Sequence, residues 1–144
     1  NPANCPGAIG VTALRHAGDK VGYSDLGPEI TISAPGGNCV TVTTGTACVY
    51  PIMTTTNTGV TAPVAGPGGA AYTDSFNSSL GTSFSAPLVS GAAALMLSVQ
   101  PSLTPAQVKA KLQSSARPFP TSGGSSATIP TCTSSSTSQD VARG

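Results

Sequence analysis

The sequence predicts an α/β fold, and three observations carry that expectation. Two short, partly β-branched apolar runs come early, at Ala8–Leu14 and Ile30–Ser33. A long helix follows from about Ser83 to Val99, apolar on every face. A second helix then opens on a strong start signal at Thr104-Pro105. Buried strands followed by a helix that needs covering on all sides is the pattern of helices packed on a sheet.

Taken in order, Ala8-Ile9-Gly10-Val11-Thr12-Ala13-Leu14 reads as a buried strand, ended by a polar turn over Arg15–Lys20 that contains Gly18. Tyr23-Ser24-Asp25-Leu26-Gly27-Pro28 is a turn-rich loop, and Ile30-Thr31-Ile32-Ser33 is a second strand stopped by Ala34-Pro35-Gly36-Gly37. Between Cys39 and Gly69 the chain is rich in Thr, Pro and Gly without a sustained period, which predicts a long surface excursion. A short strand is expected over Ala71–Phe76. The first helix, with Leu88, Val89, Leu95, Met96, Leu97 and Val99 spread around it, is expected to be buried. Its Pro87 is expected near the helix start, where an N–H lacks a partner anyway. For the second helix, Thr104 caps, Pro105 takes the first helical position, Gln107 closes a capping box and Leu103 staples onto Val108. It should end near Ala116, before Pro118 and Pro120. From Thr121 to Gly144 a Ser/Thr/Gly-rich stretch reads as a tail or loop of the same domain.

Composition narrows the function. Charged residues make up 8% of the 144, against about 25% in typical soluble domains. With a net charge of +1, nothing recommends a nucleic-acid or anionic-membrane partner. No segment reads as the long apolar run of a membrane span. Cys5, Cys39, Cys48 and Cys132 form no CxxC pair and His16 is the only histidine, which argues against zinc. Disulfides are the better reading and imply an oxidising, extracellular setting; Cys39–Cys48 is the easiest pair to close and Cys5–Cys39 competes with it.

The chemistry concentrates at Leu80-Gly81-Thr82-Ser83-Phe84-Ser85-Ala86-Pro87. A serine opening a helix sits at the positive end of the macrodipole among unbonded N–H groups, which can donate to a developing oxyanion. Gly81 allows close approach of a substrate. On physics alone Ser83 is first an N-cap, a role serine fills very often.

The run Gly81-Thr82-Ser83-Phe84-Ser85-Ala86-Pro87-Leu88-Val89-Ser90-Gly91 resembles the Gly-Thr-Ser-x-x-x-Pro-x-x-x-Gly signature of subtilisin-like serine proteases. Upstream, Ala8–Ala13, Tyr23-Ser24 and Ala34–Gly37 resemble that family's segments in the same order, and Pro101–Val108 its next helix. The resemblance implies a doubly wound, three-layer α/β sandwich around a mostly parallel sheet, with residues 1–120 as the C-terminal part of a catalytic domain and 121–144 as its tail or loop. It implies that Ser83 is the nucleophile, that its own N–H is one oxyanion donor, and that Gly81 and Thr82 flank the oxyanion. Asn1–Cys5 resembles the region beside the specificity pocket.

A serine nucleophile also needs a base and an orienting carboxylate. In this family the Asp, the His and an oxyanion Asn in an Ala-Gly-Asn segment precede the serine, and none is found here. His16 and Asp19, Asp25 and Asp74 read as loop residues, with Asp74 and Asn77 as cleft walls and Phe84 as core; Asn1 is not assigned the oxyanion role. The resemblance therefore implies a partner: the N-terminal portion of the same protease, as a second chain or a missing segment, with the break before Asn1 left by autolysis of an exposed loop. The expected product is a secreted endopeptidase acting on protein or peptide substrates through an acyl-enzyme. The competing reading is a non-catalytic secreted module, or a pseudoprotease, in which Ser83 only caps a helix. No cofactor is expected in this chain, and structural calcium of the kind the family carries is expected upstream or on loop carbonyls, since the five acidic residues form no clustered motif. The absence of a Gly-x-Ser-x-Gly elbow argues against another serine hydrolase class.

Overall fold

The computed structural model describes residues 3, 5–15, 18, 21, 23–24, 27–37, 51–74 and 80–118. Two strands, β1 (Gly10–Leu14) and β2 (Ile30–Pro35), lie side by side in parallel, with Val11 opposite Ile32 and Ala13 opposite Ala34. The register shifts between Gly10 and Val11. Side chains alternate across a strand, so Ile32 and Ala34 share one face of β2 and Thr31 and Ser33 the other. The apolar face packs under both helices, α1 (Thr82–Val99) and α2 (Pro105–Ser115), in a core of Ile32, Ala34, Val89, Val108 and Leu112. The opposite face carries hydroxyls: Thr31 Oγ1 and Ser33 Oγ are buried there without a hydrogen-bond partner among the described residues. Buried Ser24 accepts the Ala13 N–H at 2.8 Å and bonds the Thr12 hydroxyl, which ties the Tyr23-Ser24 segment to β1.

A separate antiparallel hairpin pairs β3 (Thr54–Asn57) with β4 (Ala70–Thr73). Asn57 organises the loop between them: its Oδ1 accepts the N–H groups of Gly59 and Val64, and its Nδ2 donates to the Val64 carbonyl. A 3-10 turn over Pro67–Gly69 leads into β4.

Several expectations hold as stated and others do not. The two strands and α2 form near where the sequence puts them, with the reciprocal capping box of Thr104 and Gln107 in place, but β1 begins at Gly10 rather than Ala8 and β2 runs on through Ala34 and Pro35, which were expected to stop it. Leu103 packs against the cluster that contains Val108, as a staple requires. The surface excursion contains a strand, β3, that sequence periodicity misses. Three threonines in a row give no alternation, and β3 buries neither face. β4 ends at Thr73, short of the predicted Phe76.

The largest correction concerns α1. It was expected to be buried all round, yet only Ser85 and Val89 are buried, while Leu95 is 71% and Val99 87% exposed. Apolar residues on every face demand cover, and the described residues supply it on one side only. By length and composition α1 would also suffice to cross a membrane, so the expectation of no such run needs amending; one helix of this kind is weak grounds for a membrane, and a sheet-packing helix passes the same test. A second correction concerns Pro87, which lies in the second turn rather than the first. Its absent N–H would have bonded the Ser83 carbonyl, so the helix loses that rung. The second helix layer of a three-layer sandwich is not among the described residues, nor is the expected tail over 121–144.

Candidate active site

The parallel strands run toward the same end, where β2 passes into Gly36 and Gly37. The N-terminus of α1 meets them there: the Gly81 N–H donates to the Gly36 carbonyl at 2.8 Å. In open α/β sheets, ligands bind outside the carboxyl ends of the strands. Ser83 sits at that end, in the first turn of α1, and is exposed.

Its local role differs from the one expected on physics alone. The N-cap of α1 is Gly81, not Ser83, and no side chain caps the helix. Gly81 has φ 140° and ψ 158°, a region essentially reserved for glycine. With Gly81 turning the chain, Thr82 and Ser83 become the first two helical residues, where N–H groups have no intrahelical acceptor. The Phe84 N–H already bonds back to the Gly81 carbonyl at 3.0 Å. The Ser83 hydroxyl makes no hydrogen bond among the described residues, so it is an exposed oxygen at the positive end of an 18-residue helix. Phe84, expected in the core, is half-buried.

Two hydroxyls that sequence reasoning did not place in the site hold this turn. Ser85, fully buried, donates to the carbonyls of Ala34 at 2.9 Å and Pro35 at 3.2 Å. The Tyr23 hydroxyl reaches the carbonyls of Gly36 at 2.5 Å and Gly37 at 2.7 Å. Burial pushes the Tyr23 phenol above its ordinary value, opposed by the neighbouring Gly81 N–H. A side chain at Gly36 would collide with all three neighbours: its Cβ would lie 2.5 Å from Ala13 Cβ, 2.8 Å from the Tyr23 hydroxyl and 2.9 Å from Ser85 Oγ. The only signal in the sequence was Ser85's small size, and the Tyr23-Ser24 pair in the ordered resemblance.

Of the other candidates, one is described. Asp74 is exposed just past β4. His16, Asp19, Asp25, Asn77 and Asn1 lie outside the described residues. Cys5 is exposed and free, and its possible partner Cys39, like Cys48 and Cys132, falls outside the described residues. Among the described residues no three His, Cys, Asp or Glu side chains gather as metal ligands. An open hollow of about 280 Å³ lined by Cys5, Glu29, Lys109 and Gln113 lies at the other end of the sheet, where β2 begins. It takes no part in the Ser83 site.

Comparison with known proteins gives one consistent result. The sequence pattern of the Subtilase family matches residues 1–140. An extracellular protease of Xanthomonas campestris pv. campestris is 41% identical over 131 residues, which is 89% of this chain and 19% of that protein. A subtilisin of Bacillus pumilus is 33% identical over 115 residues, 80% of this chain and 32% of that protein. A solved protease structure from Pseudoalteromonas arctica PAMC 21717 superposes with a TM-score of 0.69 at 31% identity, covering 91% of this chain and 35% of that one. The chain thus spans about a fifth to a third of the length of these relatives.

Proposed function

The chain belongs to the Subtilase family, and on that premise we propose that it is the serine-bearing part of a secreted serine endopeptidase with Ser83 as nucleophile. The observation that carries the proposal is the Ser83 hydroxyl itself: exposed, in the first turn of α1, and relieved of capping by Gly81. The reading in which Ser83 merely caps the helix has lost its physical motive.

In the proposed reaction, Ser83 Oγ attacks the carbonyl carbon of a peptide bond while its proton passes to a histidine. The carbonyl oxygen gains the negative charge and is met by the Ser83 N–H, with Gly81 and Thr82 beside it. Collapse of the tetrahedral species transfers the proton to the leaving amine and leaves an acyl ester on Ser83; water then reverses the sequence and frees the acid. The histidine, its orienting aspartate and a side-chain oxyanion donor come from the N-terminal portion of the same protease, joined in sequence or held as a second chain. That portion also covers the open side of α1 and completes the three-layer sandwich, with residues 1–120 forming the C-terminal part of the catalytic domain and 121–144 its tail or loop. The extracellular protease among the relatives supports secretion, as does the charge-poor composition. Any structural calcium belongs to the completed enzyme. In the complete protease, Ser83→Ala is expected to lower peptide hydrolysis by several orders of magnitude with the thermal unfolding temperature preserved. Retained hydrolysis would remove Ser83 from the chemistry.

A further inference from the structure

The first turn of α1 does not fix its own position. Pro87 withdraws the helical donor to the Ser83 carbonyl, and Gly81 brings no capping side chain. What registers the turn is the end of β2, through the Gly81 N–H on the Gly36 carbonyl and Ser85 Oγ on Ala34 and Pro35. That anchor is itself made of two glycines, and Gly37 has φ 84°. Gly-Gly has no side chain to pack and a wide choice of backbone conformations. Its carbonyls converge on the Tyr23 hydroxyl. Tyr23 in turn is fixed from the other side, because its neighbour Ser24 is bonded to β1 at Ala13 and Thr12. A continuous path therefore runs from β1 through Ser24, Tyr23 and Gly36 to Gly81, two residues before Ser83.

We propose that Tyr23 is a positioning residue for Ser83, its hydroxyl locking the Gly36-Gly37 carbonyls that hold the start of α1. The proposal rests on Ser83 being the nucleophile. A phenol has one proton, shared here between two carbonyls, and a phenylalanine at this place keeps the ring while leaving the Gly37 carbonyl without that donor. The Gly36 carbonyl retains the Gly81 N–H, so the turn loosens without coming apart. Since misplacing reacting groups by about 1 Å costs around a hundredfold, a partial release is expected to cost about tenfold. The loss belongs in the acylation step, because Tyr23 acts on the nucleophile's placement.

The test uses the complete protease, with a fluorophosphonate to measure the acylation rate and a neutral peptide anilide for kcat and KM. Tyr23→Phe is expected to lower both the labelling rate and kcat about tenfold, with KM within about twofold and the unfolding temperature nearly unchanged. Replacement of Tyr23 by para-aminophenylalanine, which restores a donor at the same point of the ring, is expected to recover most of the rate, whereas para-fluorophenylalanine is not. That pair carries the comparison even if the phenylalanine variant folds poorly. Equal rates for wild type and Tyr23→Phe, or equal rates for the two para-substituted variants, overturn the positioning role while leaving Ser83 as nucleophile. A folded wild type that takes no label on Ser83 overturns both.

Discussion

Gly81 and Gly36 show how two glycines in one site can be required for different physical reasons. At Gly81 an added Cβ meets nothing nearer than the Ser83 nitrogen at 3.8 Å, yet φ 140° is closed to side chains. At Gly36 the space itself is taken on three sides. Gly81→Ala is therefore expected to destabilise by about 1–3 kcal/mol through backbone strain alone and to slow acylation by moving Ser83. Thermal unfolding and labelling rate measured together check this, and an alanine that costs nothing in either would show the turn relaxes freely. Tyr23 gives a pH expectation at the same scale. Burial raises its phenol above the ordinary value, with the Gly81 N–H opposing the rise, and among the described residues its hydroxyl bonds the Gly36 and Gly37 carbonyls. A raised folded value favours the protonated form, so its contribution is fully present below about pH 10 and is lost as pH rises through the higher folded value. Unfolding temperatures from about pH 8 to pH 12 should fall more steeply for wild type than for Tyr23→Phe, and parallel curves would contradict the burial account. The sequence offered Gly81 as a close-approach glycine and Tyr23-Ser24 as part of the family resemblance, but no role for the Tyr23 hydroxyl, and on physics alone Ser83 looks first like a cap. The φ of Gly81 decides the cap, and a φ is not written in a residue name.

At the scale of elements, legibility followed burial and local chemistry. Helix α2 could be read nearly residue by residue because its signals are local: Thr104, Pro105 and Gln107 form the capping box, and Val108 and Leu112 mark the buried stripe. Thr104→Ala should cost about 1 kcal/mol, read as a lower denaturation midpoint at unchanged m-value; a shift no larger than experimental scatter would mean the cap is replaced by water. Strands β1 and β2 were legible because their Ile, Val and Ala residues must face a core. β3 was not, because its pairing with β4 depends on Asn57 and the loop it ties, which leaves no hydrophobic period behind. Pro87 was legible as a helix residue but its consequence was not, since that follows from whether the helix begins at Thr82 or later.

At the scale of the molecule, the sequence of α1 and its surroundings disagree in an informative way. A helix apolar on all faces was read as buried, while Leu88, Leu95, Leu97 and Val99 stand exposed. The sequence encodes the finished environment of the helix, and the described residues provide one wall of it. The same asymmetry runs through the proposed chemistry, where Ser83 is the proposed nucleophile and its base is proposed to arrive with the rest of the domain. That complementarity joins the central claim to a single measurement: peptide-resolved mass spectrometry of the complete, folded protease after reaction with a fluorophosphonate. The account predicts one stoichiometric phosphonyl adduct on Ser83, lost when the protein is unfolded before labelling. An unlabelled folded protease, or an adduct on a different serine, would contradict it.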